Sequence, residues 1–303
     1  MIDAAATTTG IGHGKVILLG EHAVVFGHPA VVAGLATSVR AHATPGQGAL
    51  SAPAWQLEAQ VGDDSPPGQA VARLLERLNT ERGSLDFWLE SEVPARAGLG
   101  SSAAMAVAIG RAVALRNGAS EADVLDAVAA AESVFHRTPS GIDAAAASRG
   151  RLGRFDKQQG WQDLPLASPF EICVGISGRS HDTGALVAQV KALCDETPVA
   201  RRLIDAMGEV ALAGMDALAS GDLPALARMF NLAHGLLSGV GVSCPEIDDM
   251  VYTARLAGAP GAKLTGAGGG GAVIAIAGER GEEVLRRWRG KGYYGFITTI
   301  GHA

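Results

Sequence analysis

The chain has 303 residues, 48% hydrophobic and 18% charged, with no charge block and no low-complexity tract. That composition suits a globular protein long enough for two modest lobes or one large α/β domain. Its 25 basic and 31 acidic residues leave a net charge of −6 without a basic stripe. A nucleic-acid partner is therefore not expected, and any anionic substrate must be met by a few local cations.

In chain order, MIDAAATTTG has neither a basic segment nor an apolar core and does not read as a signal peptide. Residues 16–19, flanked by Gly14 and Gly20, read as a buried strand, and 29–43 continue a sheet. Gly- and Pro-containing stretches at 44–54 and 62–68 read as loops. Helical spacing follows at 69–80, then a strand at 85–93 that Pro94 ends. Helices are predicted at 102–117 and 121–136, and a shorter one from Gly141. The apolar stretch 103–115 is interrupted by Arg111 and too short to span a bilayer, so no membrane partner is expected. Strands at 151–156 and 171–176 precede helical patterns over 183–238 and 246–257. The end reads as strand 272–277, helix 279–289 and strand 293–299. Strand-rich and helix-rich segments separate instead of alternating, which predicts an α+β fold. A boundary within 165–180 gives domains 1–170 and 171–303. Cys173, Cys194 and Cys244 lack metal-like spacing and read as reduced, packed thiols of a cytoplasmic protein.

Three glycine-rich stretches carry the chemistry. In 14-GKVILLGEHAVVFGHPAVV-32, Lys15 enters a strand and a Gly20-Glu21-His22 turn leaves it. Strand ends commonly hold ligand groups, although a polar turn alone also explains Glu21 and His22. In 94-PARAGLGSSAAMAVAI-109, Gly98 and Gly100 permit a turn that side chains would block, and Ser101 or Ser102 falls in the N-cap region of a helix. A serine-capped buried helix and an anion site made of free helix N–H groups both satisfy this pattern. A serine hydroxyl can also ligate Mg²⁺ beside phosphates. In 263-KLTGAGGGGAVIAIAG-278, Gly266, Gly268 and Gly271 fit G-x-G-x-x-G, but a β-type run follows where the dinucleotide fingerprint needs a helix. Four consecutive glycines are entropically costly and point to close approach of a ligand or another backbone. Walker-A and G-x-S-x-G patterns are missing.

Between the second and third stretches lies 131-AESVFHRTPSGIDAAAAS-148. Ser140 and Asp143 have capping-box spacing, yet an aspartate in a first helical turn also suits a group that orients or deprotonates a hydroxyl. Glu132 reads as a solvated helical charge or a hard oxygen ligand for Mg²⁺. A lysine, an aspartate, a glutamate, a serine and glycine turns together are the parts of phosphoryl transfer. The scattered histidines include no H-E-x-x-H, so zinc is not expected.

With these motifs in order, the sequence resembles the GHMP family of small-molecule kinases from Lys15 to the last strand. PARAGLGSSAA matches the family's phosphate motif P-x-x-x-G-L-G-S-S-A-A, and KLTGAGGGG matches its C-terminal glycine motif. The segment 182-DTGALVAQV-190 is similar to the family's N-T-x-A-L-V. GKVILLGEH and TPSGID are most similar to the mevalonate-phosphorylating branch, with Arg137-Thr138 where Gly-Asn is usual. The resemblance implies an N-terminal ribosomal-protein-like β-α domain and a ferredoxin-like C-terminal domain. It implies ATP as donor, mevalonate as acceptor and Mg²⁺ as cofactor, and is compatible with a homodimer. Phosphomevalonate, a sugar or homoserine is the alternative acceptor; a decarboxylase of the same superfamily is disfavoured by GKVILLGEH. By position, Asp143 would act on the acceptor hydroxyl, with Lys15 beside it. Ser102 and Glu132 would ligate Mg²⁺. Pro94, Ala97, Gly98, Leu99, Gly100, Ser101, Ser102 and Ala103 would hold ATP. Glu21, His22, Thr183, Gly268 and Gly269 would lie on the acceptor side.

Overall fold

The structure is a computed structural model that describes residues 7–135, 141–179, 182–276 and 278–301. In chain order come β1 (Thr8–Leu19), a 3-10 turn at Ala23–Phe26, β2 (Ala30–Pro45), β3 (Ala49–Ala52), β4 (Leu57–Gln60), α1 (Pro66–Arg77) and β5 (Leu85–Ser91). Next are α2 (Ser101–Asn117), α3 (Glu121–Phe135), α4 (Ile142–Arg149), β6 (Leu152–Asp156), β7 (Gly160–Asp163) and β8 (Phe170–Ile176). Helices α5 (Thr183–Glu196), α6 (Pro198–Ser220), α7 (Leu223–Gly239) and α8 (Pro245–Leu256) precede β9 (Gly261–Thr265), β10 (Ala272–Ile276), α9 (Gly281–Gly290) and β11 (Tyr294–Ile300). The expected α+β class is observed. No described helix is long and apolar enough to cross a membrane.

Two compact units form. One holds residues up to Lys15, Thr37–Ala95 and Gly100–Gly150; the other holds Val16–Ala36, Arg96–Leu99 and the residues from Arg151 on. In the first unit, β5 pairs antiparallel with β2, Val39 opposite Ser91, and parallel with β3, Leu50 opposite Phe87. Alternation along β5 buries Leu85, Phe87 and Leu89. Helices α1 and α2 pack on α3, and α4 packs on α2. Almost every residue of α2 from Ala103 to Val113 is buried, which its small side chains allow. The first half of β1 is equally bare. A Cβ on Gly12 would stand 2.1 Å from Ala104 O, and one on Gly10 would stand 2.1 Å from Ala108 O. Strand backbone therefore lies directly against helix backbone, which only glycine permits.

In the second unit, β6 pairs with the first part of β2, Ala30 opposite Phe155. A separate antiparallel sheet runs in the order β11-β8-β10-β9. Helices α7, α8 and α9 cover it, and the buried Trp288 satisfies its Nε1–H on Met250 O at 2.9 Å. The long helical region breaks where caps demand. Thr197 Oγ1 accepts from Val199 N at 3.2 Å ahead of Pro198, and Gly221 (φ 74°) with the Asp222 cap separates α6 from α7.

Some elements depart from the sequence reading. β1 starts at Thr8, far ahead of the expected 16–19, and β3 and β4 fall in or beside the expected loop at 44–54. β7 and β9 were not anticipated. The thiols are all free, with Cys194 only partly buried.

Candidate active site

The first unit brings four of the expected residues together. Lys15, 4% exposed, lies in β1, and its Nζ is 3.0 Å from Asp143 Oδ1. Asp143 is the second residue of α4, whose N-cap is Gly141 at φ 81° with no side-chain cap. The expected capping role for Ser140, like the Arg137-Thr138 departure, falls outside the described residues. Glu132, 3% exposed near the end of α3, hydrogen-bonds with Ser102, the second residue of α2. Burial pushes the Glu132 carboxyl up to about 7, helped by the negative charge of Asp143 and opposed by Ser102 and Lys15. Glu132 Oε1 and Asp143 Oδ1 are buried without an aligned hydrogen bond. The unbonded Glu132 oxygen and the Asp143 carboxylate, paired only with Lys15, lie with a serine hydroxyl in a set that suits a hard cation, and the ionised Glu132 would then be favoured. No described cluster of three or more His, Cys, Asp or Glu could hold a metal alone. That donor set suits Mg²⁺, which keeps water and phosphate oxygens as its remaining ligands.

The serines do not cap α2. Its N-cap is Gly100 at φ 74°, without a side-chain cap, so no capping side chain claims the first-turn N–H groups. Leading into it, Arg96 (φ 56°) and Gly98 (φ 76°) are also left-handed, while Ala97 and Leu99 are buried anchors. Pro94 is half-buried ahead of them. A Cβ on Gly100 would meet Lys15 Cγ at 2.9 Å, so the bare residue lets the lysine stem run beneath the helix start. Ala103 is wholly buried.

The second unit gathers the turn after β1 and the third glycine stretch. Glu21 and Lys263 form an ion pair, both nearly inaccessible. His22 takes φ 58°, and its Nε2 is 2.8 Å from Ala267 O. As the donor it leaves Nδ1 unprotonated, buried and without a partner. Burial holds the His22 pKa below its usual value, against the pull of the Ala267 carbonyl. Thr265 is bonded to the Ile17 backbone in both directions at 2.9 Å. The glycine run is explained by another backbone. A Cβ on Gly268 would be 2.0 Å from Val242 O, and one on Gly270 would be 2.5 Å from Arg179 O. Gly269 N donates to Val242 O at 2.7 Å. Gly266 faces Gly98 O, 3.9 Å from where its Cβ would be. Thr183 opens α5 behind the Asp182 cap and takes part in none of these contacts. Lys263 and Thr265 were given no role from sequence; a lysine inside an otherwise apolar strand was the available signal.

An ion-paired aspartate beside a buried glutamate and serine, at an uncapped helix N-terminus, is the apparatus of a phosphotransferase. Profiles for the GHMP kinases N terminal domain and the GHMP kinases C terminal region match residues 67–151 and 215–294. The chain belongs to the GHMP kinase family. It is 34% identical to the mevalonate kinase of Thermococcus onnurineus over 94% of both chains. It is also 34% identical to the mevalonate kinase of Pyrococcus horikoshii, over 94% of this chain and 93% of that one. Among solved structures, L. major mevalonate kinase in complex with R-mevalonate superposes with a TM-score of 0.88 at 28% identity, covering 98% of each chain. The Methanococcus jannaschii mevalonate kinase shares the fold, with a TM-score of 0.83 at 19% identity over 99% of this chain and 100% of that one.

Proposed function

We propose that the protein transfers the γ-phosphoryl group of ATP to the 5-hydroxyl of (R)-mevalonate, giving 5-phosphomevalonate and ADP in the mevalonate route to isoprenoids. The observation that carries this reading is the Lys15–Asp143 pair at 3.0 Å, in the unit that also holds Glu132 and Ser102. Its support by likeness is the set of mevalonate kinases to which the chain is similar along almost its whole length.

Asp143 orients the acceptor hydroxyl and receives its proton as the oxygen bonds to the γ-phosphorus and the bond to the β-phosphate oxygen breaks. Lys15 holds the Asp143 carboxylate and balances charge on the transferring group. The N–H groups at the start of α2 and the turn from Pro94 to Ala103 hold the ATP phosphates. Ser102 and Glu132 would hold Mg²⁺, which when bound neutralises phosphate oxygens. Glu21, His22, Thr183, Gly268 and Gly269 stand on the acceptor side of this reading. The division into domains 1–170 and 171–303 belongs to it too, one family profile falling in each. So do a cytoplasmic location and a homodimer, for which sedimentation of the purified protein is the test.

The test is ADP release by the purified protein with Mg·ATP and mevalonate, phosphomevalonate, galactose or homoserine, with mass spectrometry of the product. Mevalonate-dependent ADP and a singly phosphorylated product are expected. Turnover with another acceptor alone removes mevalonate as substrate and leaves the assignments of Lys15 and Asp143 standing.

A further inference from the structure

Lys263 sits mid-strand in β9, opposite Ile274 of β10, with no exposed surface. Its Nζ donates to the Glu21 carboxylate and, at 2.6 Å, to Leu264 O; the Phe230 ring lies 5.8 Å away. A fully buried ammonium persists only when paired, and for packing alone an apolar chain would serve as well or better. This pair is one of three links made by alternate residues of 263-KLTGA-267. Lys263 reaches Glu21, Thr265 reaches Ile17, and Ala267 O receives His22. Lys263 and Thr265 are alternate residues of β9 and share a face, while Ala267 lies past the strand end, beyond Gly266 at φ 88°, and adds its carbonyl; all three links fall on the end of β1 and the turn beyond it. That turn is strained: His22 is a non-glycine residue at φ 58°. Such backbone persists only where its surroundings over-determine it.

We propose that Lys263 is a positioning residue for the phosphoryl acceptor. Through Glu21 it fixes the Glu21–His22 turn, and it cancels a carboxylate charge that would otherwise stand against an anionic acceptor. This rests on the reading of Glu21 and His22 as acceptor-side residues. Lys263 therefore acts on acceptor binding and leaves nucleotide binding alone.

The experiment compares Lys263→Met, Glu21→Gln and the double variant with the wild type. Steady-state kinetics are varied in each substrate, and urea midpoints report folding. In Lys263→Met the mevalonate KM is expected to rise roughly ten- to hundredfold, as for a small misplacement of a binding group. The ATP KM is expected to stay within about twofold. The double variant, with no charge left unpaired, should bind the acceptor better than Lys263→Met, a non-additivity that marks direct coupling. The proposal is overturned if the mevalonate KM of Lys263→Met is unchanged, or if both KM values rise together in step with lost stability. Should Lys263→Met fail to fold, the charge-balanced double variant decides. An acceptor-only KM increase there supports the proposal, and wild-type values for both substrates overturn it. Wild-type protein inert towards mevalonate would defeat the substrate reading separately, and the same comparison is then made with the acceptor it does use.

Discussion

Single side chains in this protein are defined by what sits across from them. Asp143 has Lys15 at 3.0 Å and an otherwise unbonded Oδ1, so replacing it removes the proposed reacting group without opening a core cavity. Asp143→Ala is expected to lower kcat by about 10²- to 10⁴-fold while ATP affinity and the urea midpoint hold. Equilibrium nucleotide binding beside turnover checks this; near-full activity would reduce Asp143 to a helix-start residue. His234 makes a different prediction, about stability. Burial, then the charge of Arg255, pushes its pKa down to about 4, although Asp248 Oδ1 is 3.4 Å from its Nε2 and opposes the shift. The unfolded chain binds this proton near the ordinary value of about 6.5, so it takes up the proton first as pH falls. The stabilisation is whole above that value and is lost as pH falls towards the folded one, to a total of about 3 kcal/mol. Urea midpoints from pH 7 to 4 should therefore decline, and less steeply in His234→Gln. Identical slopes would show that other groups govern acid stability.

At the level of elements, what was legible depended on whether a segment carries its own signal. Helices α1, α3 and α9 lie close to where apolar spacing puts them, because a 3.6-residue period is written within each helix. The first part of β1, TTGIGHGK, has no apolar alternation to read, because its inward positions are glycines, Gly10 and Gly12 set against α2 and Gly14 against Val93 and Thr37. β3 and β4, four residues each, hide between Gly and Pro residues that mark turns. The site divides in the same way. Lys15, Ser102, Glu132 and Asp143 stand in motifs whose chemistry is local. Lys263 owes its meaning to Glu21, 242 residues away, which no window of sequence contains. The contact between β1 and α2 also carries a prediction. Gly12→Ala, whose Cβ would strike Ala104 O, should cost about 1–3 kcal/mol through overpacking. It should raise the ATP KM as well, since α2 begins at the proposed phosphate turn. Urea unfolding together with nucleotide-dependent kinetics reads both effects, and wild-type stability would mean that β1 shifts aside freely.

For the molecule as a whole, the electrostatics set a constraint on nucleotide binding. The chain carries a net −6, and its two buried lysines, Lys15 and Lys263, each face a carboxylate. On the proposed reading, triphosphate is held by backbone N–H groups and by the cation it brings. Mg·ATP at a hundredfold excess over its Kd should stabilise the fold by about 2.7 kcal/mol, by mass action alone. ATP with a chelator should give much less. Equal urea-midpoint shifts with and without chelator would show that the protein binds the nucleotide without metal.

The bare meeting of β1 with α2 has one further consequence. Leu, Met or Lys at such a contact would lose rotamer freedom as the surfaces closed, whereas Gly and Ala have none to lose. The helix proposed to present its N–H groups to the phosphates is thus seated, on its β1 side, against strand backbone with no side-chain rotamers to order. On that proposal its aim is set when the chain folds, and little disorder on this face remains for an arriving nucleotide to remove.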